Sequence, residues 1–203
     1  MSRFMGDEKE FEGENLTDVD FSDRVLEGAA FQNCRFYGSK MGGLTAKNCR
    51  FTACDFSFAQ MNDCLFLNCA FLNCTFSGAN LFTSKLENCK CTGSNFSGAN
   101  LAGIALQGGV YSYAVFEDCD LSKMKLGGIN FDHAVFSHAN LQKSDLSGCS
   151  LTCAVLTGTN FKESDLRDTR VEGADLKNAC FLRTKIDLQL AVVLAEQMGC
   201  ILA

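Results

Sequence analysis

Apolar residues return every fifth position along this chain. Taking one residue in five from Phe11, the sequence reads Phe11, Leu16, Phe21, Leu26, Phe31, Phe36 and Met41. It holds the same frame to Leu176, Phe181 and Ile186, thirty-six units without an insertion. Only Ala46 and Cys91 are weak centres. Two places before each centre, from Ala29 onward, stands Ala, Cys, Ser, Thr or Gly; the exceptions are Leu44, Ile104, Met124 and Ile129. The intervening positions are mostly polar, as in "FSGAN", "LSGCS" and "LTGTN".

Five is the period of neither a helix nor a strand. It fits a short extended piece followed by a corner. In an extended piece, residues two apart point to the same side, so the large centre and the small residue both face inward. Gly, Asn and Ser after the centre are corner residues. Four such sides close a square coil of twenty residues. Coils stacked at about 4.8 Å make the thirty-six units about nine coils and a rod of about 40 Å. The expected axis is aromatic: Phe31, Phe51, Phe56, Phe66, Phe71, Phe76, Phe96, Phe116 and Phe131. Two stretches are disturbed, residues 41–46 and 104–111. Both read as a local bulge or a repacked exchange of large for small rather than as remnants of loops.

The units at Gly78–Leu81, Gly98–Leu101, His138–Leu141, Lys143–Leu146, Glu163–Leu166 and Gly173–Leu176 read "GANL", "GANL", "HANL", "KSDL", "ESDL" and "GADL". This pattern resembles the pentapeptide-repeat family, whose motif is A(D/N)LXX. The resemblance covers about nine-tenths of the chain. It implies an all-β fold, a right-handed quadrilateral β-helix, and it is the family that brings the handedness.

The frame stops at Ile186, and "DLQLAVVLAEQMGCILA" follows. Asp187 suits a helix N-cap, Leu190, Leu194 and Met198 form a stripe, and Gly199 suits a stop. The chain therefore divides into an acidic lead-in (1–10), a repeat body (11–186) and a short C-terminal helix with its tail (187–203). A stacked rod exposes strand edges at its ends, and the tail is expected to cover one of them. Its apolar surface exceeds what one coil end hides, which predicts a homodimer about a two-fold axis through Leu190, Val193, Leu194, Met198 and Ile201.

The tail is similar to the C-terminal segment of Qnr-type pentapeptide-repeat proteins, on the counterparts Lys185, Ile186, Asp187, Ala191, Leu194, Glu196, Met198 and Gly199. That resemblance implies a dimerising helix and a rod that imitates duplex DNA in shape and charge. It also implies binding to type II topoisomerases and protection of gyrase from quinolones. The uninterrupted frame departs from the plasmid-borne Qnr proteins, whose coils are broken by loops.

Charge changes this picture. The net charge is −6, and residues 1–27 hold nine acids against three bases, while the remainder balances. The expected partner surface includes Asp18, Asp20 and Asp23, whose carboxylates would be drawn to a basic DNA-binding groove. There is no basic patch for nucleic acid. No run approaches the about 20 apolar residues of a membrane span. Nor does the start resemble a signal peptide, so a cytoplasmic protein is expected. A second expected contact patch is apolar: Phe58, Leu65, Leu67, Leu72 and Phe82, outward positions within about one coil.

Candidate chemistry is sparse. Of the thirteen cysteines, nine occupy small inward slots, where they read as filler, and reduced thiols are expected. Cys153, Cys180 and Cys200 lie outside those slots and are the candidate reactive thiols. The two histidines, His133 and His138, read as solvated. Cys64, Cys69 and Cys74 lie five apart on different walls, unlike a zinc site. No catalytic constellation, metal or cofactor is expected. Two functions remain: a DNA-mimicking protein that binds DNA gyrase or topoisomerase IV, and a general protein–protein scaffold or regulatory adaptor. The Qnr-like tail favours the first.

Overall fold

The corner is set by the residue two places after each centre. From Gly13 to Arg183 every such residue except Asn178 is left-handed, with φ between 51° and 74°. Gly, Asn and Asp tolerate that region best, which is why they recur there. In most units the turn is closed by the amide three places after the centre, as Ala59 N–H donates to the Phe56 carbonyl at 3.0 Å.

Repetition of that corner makes a parallel β-solenoid. The computed structural model describes residues 9–201. The first strands are β1 (Glu10–Glu12), β2 (Val25–Glu27), β3 (Ala30–Gln32), β4 (Thr45–Lys47) and β5 (Arg50–Thr52). They are followed by β6 (Leu65–Leu67), β7 (Ala70–Leu72), β8 (Lys85–Glu87), β9 (Ala105–Gln107) and one helix, α1 (Leu188–Gln197). Strands β1, β3, β5 and β7 form one sheet, and β2, β4, β6, β8 and β9 a second. Every pairing is parallel and steps by twenty residues, as Phe31 to Phe51 and Phe66 to Leu86. The other two walls carry single bridges with the same step, from Asn15–Arg35 to Asn160–Cys180, and such bridges also continue the two sheet walls beyond their strands, as at Asp165–Lys185. Four units per coil make the thirty-six units nine coils. The walls are named below by their first centres: Phe11, Leu16, Phe21 and Leu26.

Each centre from Phe11 to Leu176 is buried; Phe181 and Ile186 are partly buried at the end of the rod. Rings on one wall stack from coil to coil: Phe31 on Phe51 at 5.2 Å and 3°, Phe96 on Phe116 at 5.0 Å and 2°. Rings on adjacent walls meet edge to face, as Phe51 and Phe56 do at 5.4 Å and 74°. Both arrangements are favoured by the ring quadrupole.

The small slots do more than fill space. The Cys64 and Cys149 thiols donate to the Met41 and Leu126 carbonyls, 23 residues back, at 2.9 Å. Ser94 and Thr159 donate in the same way to Phe71 and Phe136 at 2.8 Å. Burial pushes the Cys64 and Cys149 thiols up to about 12, so they stay protonated and remain donors. All thirteen cysteines are free.

Two of the four oversized slot residues are compensated. Leu44 and Ala46 are both fully buried, the large slot offsetting the small centre. Ile129 stands one coil above Gly109, which has no side chain. The centre at Tyr111 follows the same logic, since its extra length lies over the short Cys91. Its hydroxyl, however, is buried with no hydrogen-bond partner. An unpaired buried hydroxyl costs about 1–3 kcal/mol. Tyr111→Phe is therefore expected to raise stability by about 1 kcal/mol in a denaturant titration; a loss would show that the hydroxyl is bonded.

Candidate interaction surfaces

The exterior divides into an acidic collar, scattered apolar side chains, the C-terminal cap and an opening in one side of the rod. In the first described coil, Glu10 and Glu12 lie on the Phe11 wall, and Glu14 and Asp18 on the Leu16 wall. Asp20 and Asp23 lie on the Phe21 wall, and Glu27 on the Leu26 wall. The three expected carboxylates thus belong to a ring that surrounds the rod. The Ser22 backbone N–H, donating to the Asp20 carboxylate at 2.9 Å, holds Asp20 below the ordinary carboxylate range, so it keeps its charge. Residues 1–8, most of the expected lead-in, lie outside the described residues.

The expected apolar patch is not one patch. Phe58 is on the Leu16 wall, Leu65 and Leu67 on the Leu26 wall, Leu72 on the Phe11 wall and Phe82 on the Phe21 wall. Closeness in sequence becomes separation around the rod, because a coil visits every wall. Only Phe58 and Phe82 are well exposed. Phe58 lies flat over Gly78, where a Cβ would meet its ring at 2.7 Å, and its edge neighbour is Tyr37 at 5.3 Å.

The cap is built from α1 and its N-cap. Asp187 accepts from Leu190 N–H at 2.8 Å, closing the first turn, and from Asp168 N–H at 2.6 Å on the coil beneath. At the other end, Gln197 accepts from Leu176 N–H and donates to the Ala174 carbonyl, both at 2.8 Å. The helix thereby satisfies backbone groups that the last coil would leave open. Its residues do not all face a partner. Leu190 is buried within its own chain, and Val193 and Leu194 pack partly against the core. Leu190 therefore anchors the cap and leaves nothing for a second copy. The outward apolar residues are Leu188, Met198 and Ile201, at 81%, 78% and 93% exposure.

The two backbone amides hold Asp187 below the usual carboxylate range. A depressed folded value means stabilisation that is full above the unfolded pKa of about 3.9 and is lost as pH falls through the folded value. Asp187→Ala is expected to cost about 1–2 kcal/mol through the lost cap and to raise exchange at Leu190 and Asp168. Helical ellipticity should decline in the wild type below about pH 4, and the variant should lack that step.

Among the described residues no cluster of three or more His, Cys, Asp or Glu is placed to hold a metal. Nor is any helix there long and apolar enough to cross a membrane. His133 stacks on Tyr113 at 4.6 Å and 0°, and both histidines are exposed, as are Cys153, Cys180 and Cys200.

The opening is the feature that sequence reasoning missed. It measures about 580 Å³ and lies between residues 101–107 and 120–125, on the Phe21 and Leu26 walls. On the other two walls the same coils are bonded: Cys91 N–H to Val110 O at 2.8 Å and Phe96 N–H to Val115 O at 2.8 Å; the ladder resumes past the opening with Tyr111 N–H to Asn130 O at 2.8 Å. Below the opening Leu81 bonds to Asn100 at 2.9 Å, and above it Leu121 bonds to Asn140 at 2.8 Å. Between them the ladder is unmade, and no Ala105–Lys125 or Asn100–Asp120 bridge exists. The cause is steric. Ile104 and Met124 are both oversized for their slots and stand twenty residues apart, one coil above the other. Each has a small serine on its far side, Ser84 below Ile104 and Ser144 above Met124, but across the shared seam they face each other, unlike Leu44 beside Ala46 or Ile129 above Gly109, so the coils are held apart on that side. The signal was legible: two exceptions to the slot rule separated by one coil length.

A family model for pentapeptide repeats matches residues 15–52, 114–152 and 149–183, and one for a pentapeptide repeat region matches residues 45–116. No curated protein matches the chain. Among solved structures, full-length QnrB1, a plasmid-mediated fluoroquinolone resistance protein, is 25% identical. The match covers 94% of this chain and 97% of QnrB1, with a TM-score of 0.81. A trypsin-treated QnrB1 gives 24% identity, 96% and 99% coverage and the same TM-score. HetL, a pentapeptide repeat protein involved in heterocyst differentiation regulation from the cyanobacterium Nostoc sp. strain PCC 7120, shares the fold at 20% identity. There the coverage is 85% and 84%, and the TM-score is 0.64.

Proposed function

This chain belongs to the pentapeptide-repeat family, and on that premise we propose that it is a Qnr-type binding protein. It docks on DNA gyrase or topoisomerase IV by outline and charge, without catalysis, and reduces their sensitivity to quinolones. The observation that carries this reading is the likeness to full-length QnrB1 over nearly the whole of both chains. The charge distribution gives it a polarity. Carboxylates ring the N-terminal coil while residues 28–203 balance, so the N-terminal end leads into the basic groove.

Purified gyrase inhibited by ciprofloxacin tests the reading. Addition of the protein is expected to restore supercoiling. The triple variant Asp18→Asn, Asp20→Asn, Asp23→Asn should need several-fold more protein, with the difference shrinking at high salt. No restoration at any stoichiometry ends the proposal.

A homodimer joined at the C-terminal ends belongs to the same reading. The exposed Leu188, Met198 and Ile201, with Leu182 at 55% exposure beside them, form the surface a second copy would cover. Replacing Met198 and Ile201 together by Arg is expected to halve the mass seen by light scattering without loss of helical ellipticity. An unchanged mass places the interface elsewhere.

A further inference from the structure

We propose that the opening between residues 101–107 and 120–125 is a strand-acceptor site for a short extended peptide shaped like one unit and a half of this chain's own repeat. This goes beyond the gyrase reading and does not depend on it. Three observations carry it.

The first is backbone chemistry. On the lower edge the amides of Leu101, Gly103, Leu106 and Gly108 have no protein partner, and neither have the Ala99 and Ile104 carbonyls. On the upper edge the amides of Asp120 and Lys125 and the carbonyls of Asp120, Ser122 and Lys125 are likewise unpaired. Both edges carry the donor and acceptor spacing of a parallel ladder, and each lacks the strand that would complete it. Main-chain bonding of this kind is how exposed sheet edges take up peptides. The second observation is the floor. Leu101, Ile104, Leu106 and Met124 line it, and the rim carries Gln107, Lys123 and Lys125. An entering strand would therefore place apolar side chains inward and polar ones outward.

The third is an interrupted side-chain ladder on the Phe21 wall. Asn100 donates down to Asn80 at 2.9 Å, Asn140 donates to Asp120 at 3.0 Å, and Asn160 donates to Asn140 at 3.1 Å. Asn100 donates one N–H to the coil below, and its oxygen accepts from the Ala102 N–H at 3.1 Å, with a lone pair to spare. Asp120 is a carboxylate and offers only oxygens downward; the Ser122 N–H holds it below its ordinary range, so it stays ionised. In each made rung the upper residue donates to the lower, and Asp120 has no donor with which to continue the ladder down to Asn100. An asparagine on an inserted strand has two N–H donors and satisfies both. The fitting peptide thus reads Asn–Leu–x–x–small–x–Leu, with the Asn between Asn100 and Asp120.

The probe is a synthetic peptide copying residues 78–87, GANLFTSKLE, which in the intact rod already pairs with residues 98–107 from below. The measurement is amide exchange in the full-length protein. In free protein the amides of Leu101, Gly103, Leu106, Gly108, Asp120 and Lys125 should exchange fast, while those of Phe96 and Tyr111 are protected. Peptide at a hundred times its Kd should slow exchange at the open edges about a hundredfold. Replacing the asparagine of the peptide by alanine should weaken binding about tenfold. N-methylation of the peptide at its two leucines should abolish protection. The double variant Ile104→Ala, Met124→Ala should pair the edges to each other and no longer bind.

Open-edge amides that are already protected in the free protein would overturn the proposal, as would no protection at excess peptide. Equal binding of the N-methylated peptide would also overturn it, since that is apolar filling and not strand addition. The peptide controls do not depend on how the double variant folds. Failure here would leave the supercoiling result untouched, and the reverse holds as well.

Discussion

Phe71→Asp is expected to yield no soluble folded protein. Phe71 is buried in the axis, stacked on Phe51 at 4.9 Å and 6° and edge-on to Phe66 at 5.1 Å and Phe76 at 5.5 Å. Removing such a ring costs about 3–5 kcal/mol by itself. The aspartate then places an ionised group among rings that offer no partner, at a further cost of several kcal/mol unless it takes up a proton. Together these are comparable to the roughly 5–15 kcal/mol that holds a typical domain folded. Because a solenoid is held by nearest-neighbour contacts, a break in the fourth coil also separates the two halves of the stack. Phe71→Leu keeps the position apolar and is expected to fold, with its melting temperature lowered by about 2–4 °C per kcal/mol lost. Soluble Phe71→Asp with the parent circular dichroism spectrum would mean that the axis is wet, and the fold described above would be wrong.

Gly109→Ala is expected to cost about 3 kcal/mol or more, the largest effect of any single methyl group. Gly109 has φ of +94°, and a Cβ there would lie 2.2 Å from the Cys89 carbonyl oxygen and 3.1 Å from its nitrogen. Both are backbone atoms of the coil below, so the clash cannot be relieved by turning a side chain. The left-handed conformation adds about 1–2 kcal/mol for any residue with a Cβ. The same shift would strain the Val110 N–H bond to Cys89, 3.0 Å long, and crowd Ile129 above. Gly148→Ala is the control. Its φ is +67° and nothing lies within 4 Å of the added methyl, so only the conformational cost of about 1–2 kcal/mol applies. Equal losses at the two positions in paired thermal melts would refute the steric account.

The expected acidic residues and the expected apolar residues fared differently for one reason. Asp18, Asp20 and Asp23 lie within one coil and surround the end of the rod, so their shared charge survives their distribution over several walls. Phe58, Leu65, Leu67, Leu72 and Phe82 also lie within about one coil, but an apolar patch needs contact, and a coil disperses its residues around four sides. Leu190 illustrates a related limit. The stripe Leu190, Leu194, Met198 is correct for an amphipathic helix, yet the sequence does not say which end of the stripe the last coil takes. The coil took Leu190, while Met198 was left exposed.

By itself the sequence determined the five-residue frame, the four-sided coil, the parallel twenty-residue register and the buried axis. Each of these follows from a choice made locally in every unit: one large side chain and one small one inward, and a left-handed residue at the corner. Only the tertiary structure decided whether successive coils close on each other. That depends on what stands one full coil away, and the answer differs from place to place: Gly109 accommodates Ile129 above it, whereas Ile104 stands under the equally oversized Met124 and the ladder between them is unmade. The repeat specifies the side of every residue, and the volume of its neighbour twenty positions on specifies whether the ladder between them is made.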